Sequence, residues 1–266
     1  NRNIGTFIKE LVVDLDEPVE FDAGIYMQID IPEYSVSFSE FQIEEPYKAT
    51  WDYYNLWELT AANDEPVFRA YSAANPPSDN QQMMFNVRIA TPPPDMPDAP
   101  PGIGSSYIFS LKPGDRVTMS GPFGEFKVRE SEREMCFVGG GAGMAPMRSH
   151  LRHQLLARQT RRPATFWYGA RNRMEMLYDD EFRELDRKFD NFSYYVALSD
   201  PLPDDEWDGM VGFIHQCLLD QYLQDHPDPT EVEYYLCGPP PMIAAMKGML
   251  DSLGVEPEMI AYDEFS

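Results

Sequence analysis

One stretch constrains this chain more than any other: Phe137-Val138-Gly139-Gly140-Gly141-Ala142-Gly143-Met144-Ala145-Pro146. Met135 to Val138 is short and apolar and reads as a buried strand. The glycines behind it tolerate positive φ and let another molecule come close to the backbone. Pro146 suits a first helical turn, where its missing N–H has no intrahelical partner to lose. A strand, a glycine turn and a helix start, in that order, present free N–H groups at the positive end of a helix dipole. That is a candidate cradle for a pyrophosphate. A glycine cluster alone is also the mark of a tight connection, so the reading depends on its surroundings.

The surroundings support it. From Met135 onward, strand and helix patterns alternate. A helix is expected from Ala145 to Arg158, with Met147, Leu151 and Leu155 on one face. Strands follow at Thr165–Tyr168, Phe192–Leu198, Glu233–Cys237 and Met259–Tyr262. Helices are expected at Asp179–Phe189, after Gly212, and at Pro240–Leu253. About five βα units imply a parallel sheet with helices on both faces, which binds ligands at the carboxyl ends of its strands. Gly139–Gly143, Gly169, Ser199 and Cys237-Gly238-Pro239 all fall at that edge.

The first half has a different rhythm. Ile4–Leu15, Gly24–Ile31, Val67–Ser72, Met83–Thr91 and Arg116–Ser120 read as strands, punctuated by Gly and Pro, with one short helix near Tyr107–Leu111. That pattern predicts an antiparallel β-barrel. Phe38 to Leu59 carries Trp51, Tyr53, Tyr54 and Trp57. It reads as a local mini-core under a loop, with a short helix or a lid as the other options.

Bulk properties exclude several functions. A net charge of −24 over 266 residues argues against nucleic acid and against docking on anionic lipid. Between Glu10 and Glu65 stand fifteen acidic residues and a single basic one, Lys48. This is a solvated face or a docking surface for a basic partner. No apolar run is long enough to span a bilayer, so no direct membrane insertion is expected. Three dispersed cysteines (Cys136, Cys217, Cys237) fit neither a disulfide framework nor a metal cluster and suit a reducing compartment. His150 and His153 lack a third ligand, so no metal site is expected.

A barrel ending in Arg69-Ala70-Tyr71-Ser72, followed by Gly141-Ala142-Gly143-Met144-Ala145-Pro146 and Cys237-Gly238-Pro239, resembles the ferredoxin–NADP reductase superfamily. Longer runs bring the resemblance to one family within it. Asn86-Val87-Arg88-Ile89-Ala90-Thr91-Pro92-Pro93-Pro94, Gly121-Pro122-Phe123-Gly124-Glu125-Phe126, Phe166-Trp167-Tyr168-Gly169-Ala170-Arg171, Gly212-Phe213-Ile214-His215 and Asp263-Glu264-Phe265 are similar to the F subunits of bacterial sodium-translocating NADH:quinone oxidoreductases. The resemblance covers essentially the whole chain. It implies an antiparallel six-stranded FAD-binding β-barrel over residues 1–131, then a parallel-sheet α/β NADH-binding domain over 132–266. It also implies a membrane helix and a plant-type [2Fe–2S] domain outside this sequence, so the chain is expected to be the FAD/NADH-binding part alone, at the cytoplasmic face of the bacterial inner membrane. Its expected partners are NADH, the absent ferredoxin-like domain and sister subunits.

The same resemblance assigns roles. Arg69 pairs with the FAD pyrophosphate, Tyr71 lies against the isoalloxazine, and Ser72 hydrogen-bonds flavin N5. Gly102, Gly104, Ser105 and Ser106 form a second phosphate cradle at a helix start. Asn86, Ile89, Ala90 and Thr91 run past the flavin, although core packing explains the last three equally well. Gly141, Ala142, Gly143 and Met144 receive the NADH pyrophosphate. Tyr168, Gly169 and Arg171 meet the adenosine half, and Cys237, Gly238, Pro239 and Met242 the nicotinamide end. Without that context Cys237 is a buried thiol and Phe265 a frayed tail; with it, Phe265 stacks on the flavin as a gate. Asp263 and Glu264 receive no task. The expected reaction is hydride transfer from NADH to FAD, then single electrons to the [2Fe–2S] domain. An oxygenase reductase of the same superfamily, and a flavin-binding module without turnover, remain as alternatives.

Overall fold

The computed structural model describes residues 1–264. Its first part is built from antiparallel strands. The stretch expected as one strand from Ile4 is a hairpin, β1 (Arg2–Gly5) and β2 (Ile8–Asp14), because the pairing register shifts at Gly5 and the chain turns at Thr6. Then come β3 (Tyr26–Ile31), β4 (Tyr34–Ser37), helix α1 (Lys48–Tyr53), β5 (Thr60–Asn63), β6 (Val67–Ser72), β7 (Gln82–Arg88), helix α2 (Ile103–Ser110) and β8 (Met119–Phe123). The last begins later than Arg116. Strands β1-β2-β7 and β6-β3-β8 form two three-stranded antiparallel sheets. Their inward positions alternate, as Met27, Ile29 and Ile31 do along β3. They meet Leu11, Met83, Phe85 and Val87 in one core, which Ile108 of α2 closes. This is the barrel.

The acidic, aromatic segment is framed by the β4–β5 ribbon. Phe38, Phe41, Ile43, Trp51 and Leu56 bury themselves with Phe109 in a second small core, so the mini-core reading holds. Trp51 is fully buried and its indole N–H donates to the Thr6 carbonyl at 2.8 Å.

The second part is the expected α/β unit: β9 (Met135–Gly140), α3 (Met144–Arg152), β10 (Ala164–Ala170), α4 (Asp179–Lys188), β11 (Phe192–Leu198), β12 (Met210–Val211), α5 (Ile214–Gln221), β13 (Glu233–Gly238), α6 (Pro240–Ser252) and β14 (Ile260–Glu264). The six strands are parallel in the order β12-β11-β10-β9-β13-β14. Every residue of β9 and β13 is buried, as expected of a sheet covered on both faces. Met147 and Leu151 of α3 with Phe182 and Leu185 of α4 cover one face. Leu218 of α5 with Ile243, Met246 and Leu250 of α6 cover the other. Each such side chain removed from water stabilises by about 1.5–3 kcal/mol. Among the described residues no helix is long and apolar enough to cross a membrane.

Candidate functional site

The glycine turn lies where β9 hands over to α3. Gly141 has φ +55°, and a Cβ on Gly143 would sit 2.1 Å from the Cys237 carbonyl oxygen. Only glycine lets the start of α3 rest on the end of β13. Tyr168 braces the turn from beneath: it is fully buried, with its hydroxyl 3.3 Å from the carbonyl oxygens of Gly141 and Glu175. Burial holds its phenol well above the usual range.

A cleft of about 790 Å³ opens along the carboxyl ends of β9, β10, β11 and β13. Gly141, Gly169, Arg171, Pro239 and Met242 line it. Ala142, Gly143, Met144, Tyr168, Cys237 and Gly238 are not among its lining residues, and Met144, Tyr168 and Cys237 are fully buried beneath it. Arg171 is held by Asp200 at 3.1 Å, both well exposed. Arg173 is spent on Asp205, donating from its backbone N–H to the carboxylate and from its guanidinium to the carbonyl. Among the described residues Arg171 thus has a carboxylate partner, whereas the Arg173 guanidinium forms no ion pair.

A second cradle lies on the barrel. A Cβ on Gly104 would come within 2.7 Å of both Arg69 Cγ and the Tyr71 hydroxyl, so the end of β6 and the start of α2 touch because Gly104 has no side chain. Arg69 is exposed and donates to the Phe68 carbonyl at 2.8 Å. Among the described residues it forms no salt bridge, unlike most arginines of this acidic chain. Burial raises the Tyr71 phenol. Ser105 is used locally: its hydroxyl donates to the Gly102 carbonyl and accepts from the Ala90 N–H, both at 3.1 Å. With Gly102 N–H donating to the Ala90 carbonyl, this pins the strand beyond Ile89 to α2. Ser106 and Ile89 are buried, Thr91 is half-buried and Ala90 is exposed.

Asn86 stands apart from that cradle. Its amide donates to the Tyr178 hydroxyl at 2.6 Å, which donates to Glu10 at 2.7 Å, which accepts from Arg2 at 2.8 Å. These bonds join barrel and α/β unit. Glu10 is therefore buried, an exception to the solvated acidic face.

Between the cradles lies a contact that has no signature in the sequence. Ser72 donates to Asp263 at 3.2 Å, and Asp263 pairs in register with Cys237. Burial pushes the Cys237 thiol well up, with Asp263 adding to it, and burial also raises the Asp263 carboxyl. No sequence pattern points to Asp263, because only the register of β14 places it there. Phe265 lies outside the described residues. Equally hidden in the sequence is that Thr6, Phe7 and α1 form part of the cleft wall.

Two family models match this chain: the oxidoreductase FAD-binding domain over residues 52–128 and the oxidoreductase NAD-binding domain over residues 137–248. The first span contains Arg69, Tyr71 and Gly104; the second contains the glycine turn and Cys237. The F subunit of the Na(+)-translocating NADH-quinone reductase of Klebsiella pneumoniae is 54% identical over 267 residues, covering 100% of this chain. Its counterpart in Haemophilus ducreyi is 54% identical over the same share. The chain belongs to this family of F subunits. It spans 66% and 65% of the length of those two relatives. Solved structures agree on the fold of this chain: a cytochrome P450 reductase of Amycolatopsis gives a TM-score of 0.73 at 22% identity, covering 99% of this chain and 66% of that one. The flavohem-like FAD/NAD-binding domain of Vibrio cholerae nitric oxide dioxygenase gives 0.73 at 21%, covering 99% and 94%. The exposed Arg69 beside the start of α2, and the turn at Gly141, where a Cβ would meet nothing within 4 Å, fit two phosphate-bearing cofactors, FAD and NAD.

Proposed function

We propose that this chain is the NADH-oxidising flavoprotein part of a sodium-translocating NADH:quinone oxidoreductase. Residues 1–131 bind FAD and residues 132–266 bind NADH. The single observation that carries the reading is the Ser72–Asp263 hydrogen bond, which ties the end of β6, next to Arg69 and Tyr71, to the strand paired with Cys237, against which Gly143 packs.

FAD, when bound, supplies the acceptor for a hydride from the nicotinamide ring. The chain supplies placement and electrostatics. Arg69 offers a planar fork of donors to the FAD pyrophosphate, and the Gly102–Ser106 start of α2 offers backbone N–H groups to the same phosphates. Tyr71 presents its ring to the isoalloxazine. Ile89, Ala90 and Thr91, held by Ser105, run alongside it, and Asn86 supports that strand from the domain contact. The turn from Gly141 to Met144 receives the NADH pyrophosphate over the brace of Tyr168. Gly169 and Arg171 face the adenosine half; Gly238, Pro239 and Met242 face the nicotinamide. Ser72 and Cys237 would flank the place of transfer, with Asp263 orienting the Ser72 hydroxyl. No general acid is needed. Arg171 engaged by Asp200 favours NADH, since a 2′-phosphate would meet that carboxylate. The loaded module would pass its electrons to a [2Fe–2S] domain of the longer protein, at the cytoplasmic face of a bacterial inner membrane and in company with sister subunits.

The test is anaerobic stopped-flow absorbance of the FAD-loaded protein mixed with NADH, then with NADPH. Fast bleaching of the flavin band with NADH and slow bleaching with NADPH is expected. A bound flavin that NADH leaves oxidised would reduce the chain to a binding module.

A further inference from the structure

The cleft has a wall that the α/β unit does not build. Helix α1 and the residue after it bring Ala49, Thr50, Tyr53 and Tyr54 to the cleft from the barrel side. Tyr53 is 82% exposed and Tyr54 49% exposed. Their rings lie edge to face, 5.0 Å apart at 86°. Tyr54 is also 6.2 Å from Phe7, and the Arg88 guanidinium lies 5.5 Å above that ring. Two adjacent aromatic side chains at an open cleft form the kind of exposed flat surface on which a ligand ring stacks.

They are not loose. The other aromatic of α1, Trp51, is fully buried, bonded to the Thr6 carbonyl and stacked on Phe109 at 6.1 Å and 22°. Trp57 donates to Asp52 at 2.6 Å, and Asn55, with φ 55°, turns the chain sharply after Tyr54. The Thr6 N–H in turn donates to Glu175 of the α/β unit at 3.1 Å. So α1 is anchored by one aromatic, tied across to the other domain, and left with two tyrosines facing outward.

Another part of the lining has matching character. Phe213 is 69% exposed and stacked against His215 at 6.1 Å and 20°, and both line the same cleft. Arg171 and Asp200 stand on its rim. Arg171 donates to Asp200 from Nε at 3.2 Å and from Nη2 at 3.1 Å, and both residues line the cleft together with Tyr54. The nicotinamide end is fixed elsewhere, toward Ser72 and Cys237. The rest of the cleft is lined by two aromatic pairs, Tyr53 with Tyr54 and Phe213 with His215, and by the Asp200 carboxylate. That chemistry suits a purine held by stacking and a ribose diol held by Asp200.

We propose that Tyr53 and Tyr54, at the end of α1, complete the adenosine subsite of the NADH cleft together with Phe213 and His215, so that the acidic insertion of the barrel takes part in dinucleotide binding. This rests on the NADH reading above and names which residues on the flavin side read the far end of the cofactor. Bound adenosine would then touch both domains and hold them at one spacing, whereas a nicotinamide nucleotide without adenosine would touch α1 not at all.

Reduced nicotinamide mononucleotide, which carries the reacting ring without adenosine, separates the two ends. In anaerobic flavin-reduction assays on FAD-loaded protein, Tyr54→Ala is expected to lower the ratio of kcat/KM for NADH to that for the mononucleotide by about tenfold. Tyr54→Phe, which keeps the ring, should restore it. An unchanged ratio in Tyr54→Ala overturns the proposal. A second measurement needs no variant: photolabelling of the unaltered protein with 8-azido-ADP-ribose should place label on the peptide containing residues 49–54. Label confined to peptides of the α/β unit overturns the proposal as well. Failure of NADH to reduce the wild-type flavin would instead sink the hydride-transfer reading, and the photolabelling would still report on the subsite.

Discussion

Lys9 is a lysine inside a barrel wall. It points inward from β2 with 2% of its surface exposed, its Nζ 3.5 Å from the Phe109 carbonyl and 5.1 Å above that ring. Burial pushes its ammonium down from the ordinary 10.5 to about 8, and Glu44 recovers a little. The folded chain thus binds this proton less tightly than the unfolded chain does. Stability carries the full cost below pH 8 and rises as pH climbs from about 8 toward 10.5. The difference corresponds to about 3 kcal/mol, partly offset by the carbonyl and ring contacts. Lys9→Met is therefore expected to stabilise the protein at pH 7 by about 1–2 kcal/mol. Urea denaturation at pH 7 and at pH 10 should show that gain shrinking at the higher pH. A gain of equal size at both would mean that packing, not a buried charge, is the cause.

At the scale of elements, two glycines separate two binding functions. An alanine at 143 would place its methyl group 2.1 Å from the Cys237 carbonyl oxygen, which belongs to a central strand and cannot yield. The turn would lift from β13. Gly143→Ala is expected to raise the KM for NADH at least about tenfold while flavin content stays normal. An alanine at 104 meets Arg69 and Tyr71 instead, each at 2.7 Å, so Gly104→Ala should lose flavin during purification and keep its NADH affinity. The ratio of flavin to protein absorbance, with an NADH titration beside it, reads both; swapped phenotypes would refute the assignment of the cradles. Both glycines are legible in the sequence because a strand–turn–helix leaves a local signature, and because Arg69, Tyr71 and Gly104 belong to recognisable runs. Contacts between distant elements are not legible. The register that sets Asp263 against Cys237 is decided by β13 and β14 packing together. The network that consumes Asn86 closes over 92 residues to Tyr178. The placement of α1 on the cleft depends on Trp51 finding Thr6, 45 residues away. None of these has a period or a spacing in the sequence, and Ile4–Leu15 reads as one strand only because apolar residues run straight through the Gly5–Thr6 turn.

At the scale of the whole molecule, the proposed hydride transfer depends on how two separately cored units face each other. Several bonds hold that arrangement. Arg148 donates to the Ala74 carbonyl at 2.9 Å and to Glu181, and Ser149 donates to the Asn75 carbonyl at 2.8 Å. Tyr178 is the member that reaches furthest: its hydroxyl accepts from Asn86 and donates to the buried Glu10, and the Arg148 guanidinium lies 4.6 Å above its ring. Burial, with Glu10 beside it, keeps that phenol raised and therefore a donor throughout the physiological range. Tyr178→Phe keeps the ring and the cation contact but leaves the Glu10 carboxylate with Arg2 alone and the Asn86 amide unpaired. Unmet polar groups of this kind cost about 1–3 kcal/mol in stability. The kinetic effect should exceed what lost stability explains, because the same face carries Ser72 to Asp263. Flavin reduction by NADH is expected to slow several-fold in folded, flavin-replete Tyr178→Phe, with KM little changed. Stopped-flow rates measured well below the melting temperature decide it. A variant that is less stable yet reduces its flavin at the wild-type rate would show that the Ser72–Asp263 contact alone fixes the alignment, and that the Glu10–Tyr178–Asn86 chain only holds the domains together.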